Sequence, residues 1–336
     1  MKILELYSGI GGMHLALLAS GVKGEIKKSI DISPIANSVY KHNFSERLLL
    51  YHNLDGLTKE MVEGFDVDTI LMSPPCQPFT RNGNQQDIAD FRTTSFVHLM
   101  EIFPTLQTIK RILVENVVGF EVSQMRELLV STLTECGFIC QEYILSPHQV
   151  GIPNSRRRYY LLGKKHPLEF PFEVGPLTYD FPLSEVSANL NNLISIGDIL
   201  EENQDFSQYY ISDKILRKYF NILDICYSHS RNSCCFTKSY SRYIEGAGSV
   251  FTEKSEEFVK TILSQIENVE KGSDEYLKLV VQLKLRFFTP REVCRLMCFP
   301  ETFSFPPGME NRKKYMLLGN SVNVKVVSEL IRLLVH

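Results

Sequence analysis

The chain has 336 residues, 44% hydrophobic and 22% charged, enough for one large globular domain with a smaller one attached. A net charge of −3 gives no global attraction to a polyanion, so any nucleic-acid partner must be held by a local basic patch. Eight cysteines in a chain this long do not make a disulfide scaffold, and the lack of any Cys-x-x-Cys pair argues against a metal such as zinc. Cys136/Cys140 and Cys294/Cys298 are spaced as on successive helix turns. Reduced thiols fit a cytoplasmic compartment, with the nucleus as an extension. No run of about 18 apolar residues occurs, so no membrane span is expected. Glu5, the glycines at 9 to 12 and His14 interrupt the apolar N-terminus, so no signal peptide is expected.

Lys2 to Tyr7 predicts a first strand, followed by Ser8-Gly9-Ile10-Gly11-Gly12 and a helix from Met13 to about Ala19, closed by Gly21. A glycine-rich turn between strand and helix lets a ligand approach the backbone, although Gly-x-Gly-Gly alone does not decide the point. Glu25 to Ile32 predicts a second strand with Asp31 at its carboxyl end, then Ser33 as N-cap and Pro34 as first helical residue. An acid about 20 residues past the glycines is where a ribose-binding carboxylate belongs, and the same acid can cap the helix. No Gly-Lys-Ser/Thr is present and the turn is shorter than Gly-x-Gly-x-x-Gly. That favours an adenosine cofactor without a diphosphate, S-adenosyl-L-methionine (SAM), touching Tyr7 to Gly12, Asp31 and Ile32. Arg47 to His52 reads as a third strand ending near Leu54 and Asp55, which can serve the adenine; Asp55 alone reads as a turn residue.

Asp68 to Met72 is a β-rich run that stops at Ser73-Pro74-Pro75-Cys76-Gln77-Pro78. A lone cysteine there is most simply structural, but two prolines at the carboxyl end of a strand hold a thiolate in one attack geometry. Phe79 to Thr94 is a long polar stretch of the kind that forms lids or binding loops, with Arg81 and Arg92 available to phosphates. Ser95 to Leu106 reads as a helix interrupted near Pro104. Lys110 to Val114 is a further strand, and it delivers Glu115-Asn116-Val117 to the same sheet edge. A thiolate and a protonated acid suit attack on an electron-poor ring, the acid neutralising charge on the ring nitrogen; Glu115 could instead cap the next helix. Gln124 to Phe138 is an amphipathic helix closed by Gly137, Gln141 to Leu145 a strand, and Gln149 to Pro153 a turn. Asn154 to Leu162 forms the last strand, with Arg156 and Arg158 on one side and Arg157 on the other. Two arginines on one side suit a base carbonyl and a phosphate, or simply a solvated strand end.

In this order the chain resembles the cytosine-5 methyltransferase family. It has the family's SAM-binding turn (Tyr7 to Gly12), ribose acid (Asp31), Pro-Pro-Cys (Pro74 to Cys76), Glu-Asn-Val (Glu115 to Val117) and Arg-x-Arg (Arg156, Arg158). Arg286-Phe287-Phe288-Thr289-Pro290-Arg291-Glu292 and Leu318-Gly319-Asn320-Ser321-Val322 follow, also as in the family. Tyr7 stands where the family usually has Phe, and Asn154 where it usually has Gln. The resemblance implies an α/β, Rossmann-like methyltransferase fold with a mostly parallel seven-stranded sheet. It further implies catalytic roles for Cys76, Glu115, Arg156 and Arg158, and SAM contacts from Leu54, Asp55, Ser73, Pro75, Asn320 and Val322. Cys235-Phe236-Thr237-Lys238 and Tyr243-Ile244-Glu245-Gly246 resemble the type 2 DNA methyltransferase homologue branch, which acts on an anticodon-loop cytosine of tRNA-Asp. By that resemblance Arg81, Cys235, Thr237 and Lys238 meet the substrate; from the residues alone, Cys-Phe-Thr reads as a buried strand.

His166 to Pro182, with four prolines and no periodicity, reads as a linker. Composition then predicts a SAM-binding catalytic domain over 1–182, a target-recognition domain over 183–311 and a segment over 312–336 that returns to the first. In the smaller part, Thr252 to Val269 and Asp274 to Arg286 read as surface helices joined near Gly272. Lys214, Arg217, Lys218, Arg231, Lys238 and Arg242 interleave with tyrosines 209, 210, 219, 240 and 243, a pattern that suits unpaired RNA bases, although tyrosines are more often core residues. Val324 to Val335 reads as a last helix packed back beside Asn320. The expected reaction is methyl transfer from SAM to cytosine C5 through a covalent Cys76–C6 adduct, in a monomer acting on tRNA. A DNA cytosine-5 methyltransferase is one alternative; a SAM- and RNA-binding module without turnover is another.

Overall fold

The structure, a computed structural model, describes residues 1–75, 93–182 and 193–336. Cys76, Arg81 and Arg92 lie outside the described residues. Seven strands form the main sheet: β1 (Lys2–Leu6), β2 (Glu25–Asp31), β3 (Leu49–Tyr51), β4 (Thr69–Met72), β5 (Arg111–Val117), β6 (Phe138–Leu145) and β7 (Arg158–Lys165). Their order is β3-β2-β1-β4-β5-β7-β6. The first five run parallel, and β7 is antiparallel to both β5 and β6. Central strands such as Thr69–Met72 are buried throughout, as expected of a parallel sheet covered on both faces. Chain order reverses around β1, whose neighbours are β2 and β4, and this switch point is where such sheets open a crevice for ligands.

Local signals place the helices α1 (Gly12–Ser20), α2 (Pro34–Asn43), α3 (Lys59–Gly64), α4 (Thr94–Ile102) and α5 (Gln124–Glu135). Gly21 closes α1 in the left-handed conformation at φ 69°, which glycine adopts without a Cβ penalty. The Ser33 side chain accepts a hydrogen bond from the Ala36 amide at 3.3 Å, with Pro34 at the first helical position. Gly137 likewise ends α5, at φ 80°, so β6 begins at Phe138, three residues before the expected start at Gln141. Cys140 therefore sits on a strand, and Cys298, at φ 60°, lies past a helix end; neither cysteine pair shares a helix face.

A second sheet of three short strands, β8 (Ile225–Cys226), β9 (Val250–Phe251) and β10 (Arg286–Phe287), carries α6 (Asp213–Tyr219), α7 (Glu256–Ile266) and α8 (Asp274–Val280). These elements share a small core of Leu216, Val250, Val259, Ile262, Tyr276 and Val280. From Phe288 onward the side chains rejoin the main core, before the expected return at residue 312. The hinge is held by Arg286, whose guanidinium forms two 2.8 Å bonds to the buried Glu292 carboxylate and lies between the rings of Phe206 and Phe251. Glu292 completes a capping box with Thr289 at the start of α9 (Pro290–Leu296).

Two last helices, α10 (Asn311–Asn320) and α11 (Val324–Val335), finish the chain. α11 buries Val327, Leu330, Ile331 and Leu334 in the core that also holds Leu15, Ala16 and Leu17 of α1. Each large side chain so buried contributes about 2 kcal/mol. The Arg332 Nε donates to the Ser20 carbonyl at 2.9 Å, tying the chain's last helix to its first. The proline-rich segment after β7 does more than link. The Thr178 amide donates to the Glu142 carbonyl at 3.1 Å and its carbonyl accepts from Ile144 at 2.9 Å, so the segment covers the open edge of β6. No helix among the described residues is long and apolar enough to cross a membrane.

Candidate active site

A cavity of about 330 Å³ opens over the carboxyl ends of β1, β2, β4 and β5. Its first wall is the turn after β1. Tyr7 and Gly9 both take positive φ, 53° and 54°, a conformation costly for tyrosine and tolerated where the surroundings fix it. The Ser8 amide donates to the Ile30 carbonyl at 3.1 Å, and the Tyr7 hydroxyl bonds the Ser95 Oγ at 3.0 Å. That second bond satisfies the oxygen this chain carries where a phenylalanine is usual. Asp31 receives the Gly9 amide at 2.8 Å on one oxygen and the Ser33 amide at 2.7 Å on the other. Its carboxyl thus fixes the turn and caps α2 together, with lone pairs left for the cavity. Burial pushes that carboxyl upward, and the Ser33, Gly9 and Ile32 amides oppose the shift.

Beneath the turn lies a buried network. Glu5 Oε2 accepts from the Ser29 hydroxyl at 2.8 Å and the Tyr40 hydroxyl at 3.2 Å, and Glu5 Oε1 accepts from the His14 amide at 3.2 Å. The His14 Nδ1 lies 2.9 Å from the Tyr40 hydroxyl, and its ring stacks on Phe44. Burial raises the Glu5 carboxyl to about 7 and lowers His14 to about 4.

The other end of the cavity is built by β5 and β7. Glu115 lies within β5, opposite Tyr160, so it is a strand residue and not a helix cap. It is 7% exposed and 3.4 Å from the Arg158 Nε. Burial holds its carboxyl above the usual range; the Arg158 and Arg156 charges pull it back only in part. Pro74, Pro75 and Ser73 line the same cavity, and the Ser73 hydroxyl donates to the Tyr7 carbonyl at 3.4 Å.

The second wall comes from distant sequence. Lys238, Asn320, Ser321 and Val322 line it. A Cβ on Gly319 would stand 2.1 Å from the Lys238 amide nitrogen and 2.2 Å from the Thr237 carbonyl carbon, so only glycine allows this backbone contact. Gly12 similarly faces Ser321 and Val322, both 2.8 Å from where a Cβ would be. Arg156 closes the arrangement. Its guanidinium, 2% exposed, donates to the carbonyls of Phe236 (3.2 Å), Gly319 (3.0 Å) and Ser321.

Arg156 thus has a structural task the sequence reading did not foresee: Nη1 and Nη2 donate to backbone carbonyls, while Nε is buried with no partner among the described residues and the side chain lines the cavity. Arg158 remains on the cavity. The Cys235 to Thr237 stretch is irregular chain and not a strand, because its amides and carbonyls serve Arg156 and the Ala247 turn. Cys235 is not on the lining, but its Sγ lies 3.6 Å from Arg156 Nη1 and 3.8 Å from Arg158 Nη2. Burial pushes this thiol up, and the two guanidiniums overcome that and leave it lowered. The Thr237 hydroxyl is engaged in its own turn with Ala247 and Ser239.

Of the cofactor positions, Tyr7 to Ile10, Gly12, Asp31, Ile32, Ser73, Pro75, Asn320 and Val322 line the cavity. Gly11 does not; it is the N-cap of α1 at φ 87°, packed where a Cβ would meet the Phe44 ring at 2.3 Å. Leu54 belongs to the core and Asp55 is exposed and bonded to Asn53, off the lining. The sequence reading missed Met13, Ser33, Ala36, Met316 and Leu317. Ser33 and Ala36 carried a usable signal, since they form the first turn of the helix that starts beside Asp31.

A sequence profile of the family described as C-5 cytosine-specific DNA methylase matches residues 1–336. A tRNA (cytosine(38)-C(5))-methyltransferase of Spodoptera frugiperda is 48% identical over 333 residues, covering 99% of this chain and 98% of the relative. The Homo sapiens protein of the same name is 39% identical, covering 99% of each. The crystal structure of a Spodoptera frugiperda DNMT2 variant superposes with a TM-score of 0.91 at 46% identity, covering 100% of this chain and 99% of that one. The sheet order, the cavity over its switch point and these matches agree, and the chain belongs to the C-5 cytosine-specific methyltransferase family, with its Rossmann-like α/β fold.

Proposed function

We propose that this chain transfers a methyl group from SAM to C5 of an anticodon-loop cytosine in tRNA-Asp. The observation that carries the reading is the buried Glu115–Arg158 pair in the same cavity as the Ser8 to Gly12 turn and Asp31. A proton donor suited to a pyrimidine nitrogen thus stands beside a nucleoside-sized cradle. The tRNA part is supported by the names of the relatives and by Cys235-Phe236-Thr237, which packs against the cavity's second wall.

The residues present fit SAM. Ser8 Oγ is buried with no partner among the described residues, and Asp31 keeps acceptor capacity toward the cavity. Tyr7, Ser8, Gly9 and Asp31 would hold the cofactor, with Asn320 and Val322 across from them. Bound there, SAM supplies an electrophilic methyl group on a sulfonium. The chain supplies the rest. The target base leaves its stack. The Cys76 thiolate, next after Pro75, forms a bond to cytosine C6, and the displaced ring electrons gather at C5. Glu115 donates a hydrogen bond or proton to N3 as charge builds there. C5 would take the methyl as the S–CH3 bond breaks and the sulfonium becomes a neutral thioether; C5 then loses its proton to solvent and N3 returns its own to Glu115. The S–C6 bond then breaks and restores Cys76. Arg158 orients Glu115 and holds the ring edge.

Radiolabelled methyl transfer to tRNA-Asp transcript, a scrambled tRNA and duplex DNA tests the reading side by side. Selective labelling of tRNA-Asp is expected, together with a covalent adduct on RNA carrying 5-fluorocytosine and no turnover by Cys76→Ala. Turnover by Cys76→Ala overturns the covalent route. Labelling of DNA alone overturns the substrate and favours the second reading, which the family's own description as a DNA methylase supports.

A further inference from the structure

A second cavity, of about 450 Å³, lies at the same edge of the main sheet, between the start of β7, the covering segment and the chain at Asn232. It meets the catalytic cavity at three consecutive residues. Arg156 and Arg158 line the catalytic side, while Arg157 lines the other. Arg157 and Arg158 are consecutive, so the two cavities adjoin at the start of β7, where neighbouring nucleotides of one strand can part to either side.

The lining of this second cavity has the chemistry of a nucleotide site. Arg157 is exposed and no carboxylate pairs with it among the described residues; no Asp or Glu lines the cavity. Tyr179 presents a ring that is 60% exposed while its backbone is fixed on both sides. The preceding Thr178 is bonded to β6, and the Tyr179 carbonyl accepts from Gln149 Nε2 at 2.6 Å. The Asn232 Oδ1 accepts from the Ser155 hydroxyl at 2.8 Å, which leaves the amide nitrogen to donate to a base. His148 completes the wall. A cation without a counter-charge, a held aromatic face and an oriented amide are the parts with which proteins take up unpaired nucleotides.

We propose that this cavity binds the unpaired RNA nucleotide adjoining the target cytosine, its base against Tyr179 and its phosphate at Arg157. The proposal rests on the RNA reading above and adds to it a subsite on the face of β7 opposite the catalytic cavity. Arg157 and Tyr179 are then specificity-determining residues for the RNA.

The test is equilibrium binding of a fluorescein-labelled tRNA-Asp anticodon stem-loop to the full chain, with methyl transfer measured in parallel. Arg157→Ala is expected to weaken RNA binding roughly tenfold and to reduce the slope of log affinity against log salt by about one. Tyr179→Ala should weaken it by a similar factor and Tyr179→Phe restore it, since stacking needs the ring and not the hydroxyl. In each variant kcat and the KM for SAM should stay within twofold, and the melting temperature should not move. RNA affinity and salt slope unchanged in both alanine variants overturn the subsite, as does a parallel rise in the KM for SAM. A wild-type chain that labels only DNA would sink the substrate reading instead, while the binding data on the stem-loop still decide the subsite.

Discussion

The two walls of the catalytic cavity are made by opposite means. The first comes from residues 7 to 33, where each strand end passes straight into a turn and a helix, and glycines and Asp31 set the geometry locally. The second joins Lys238 to the Gly319–Val322 stretch, far apart in the chain, through one glycine contact and the three carbonyl bonds of Arg156. A local wall tolerates change elsewhere in the molecule. A stitched wall fails as a unit.

The most severe way to probe that difference is Gly319→Val. The clashing atoms are backbone and have nowhere to go, so a loss of about 3 kcal/mol or more is expected, with activity falling to background. Denaturant unfolding reads the first effect; a midpoint within experimental scatter of the parent would mean that the second wall is not stitched through this contact. Arg156→Met should follow at about 3 kcal/mol, because it leaves three carbonyls without their charged donor. If Arg156 gripped the base instead, this variant would keep its stability and lose only RNA affinity.

Glu115→Gln separates chemistry from construction. It should lower kcat about 10²- to 10⁴-fold with unchanged stability and cofactor affinity, as for loss of a general acid. An equal loss of SAM affinity would place Glu115 in the wall and not in the reaction. The gentlest test falls on the first wall. Glu5, raised from 4.5 to about 7, favours the folded state below pH 4.5, and that advantage fades as pH climbs to about 7. His14, lowered from 6.5 to about 4, acts in the reverse sense: its advantage is complete above pH 6.5 and fades as pH falls toward 4. The two slopes oppose each other between about pH 4.5 and 6.5. Thermal unfolding should show Glu5→Gln acquiring a stability that rises with pH across that window, where the parent is nearly flat. A parent that already rises steeply there would contradict the pairing of these two groups.

The same contrast explains what was legible in the sequence. Ser33-Pro34 announced α2, Gly21 closed α1, and the apolar spacing of Val324 to Val335 marked the last helix to the residue. These are local signals, each with a mechanism in turn or cap chemistry. The turn from Tyr7 to Gly12 and the place of Asp31 beside it were legible for the same reason. The carbonyl bonds of Arg156 were not legible because strand alternation gives the side a residue faces, not what waits there. Cys140 was misread because Gly137 stops the helix before the four-residue spacing applies. The covering role of Thr178 left no mark at all: a single backbone bridge to a strand edge has no side-chain signature. Met316 and Leu317 were missed because the motif drew attention to Asn320 and Val322 just past them, and nothing in the spacing shows that the last turns of α10 also reach the cavity.

The packing of α11 on α1 has a consequence for how the molecule is made. The apolar side of α1 is synthesised well before its cover, Val327 to Leu334. During translation that side waits uncovered while the chain between the two helices is assembled, and transiently exposed apolar surface of this kind is prone to aggregate. A premature stop anywhere before residue 322 removes cavity lining along with the cover. Such truncated products should be insoluble and not partly active.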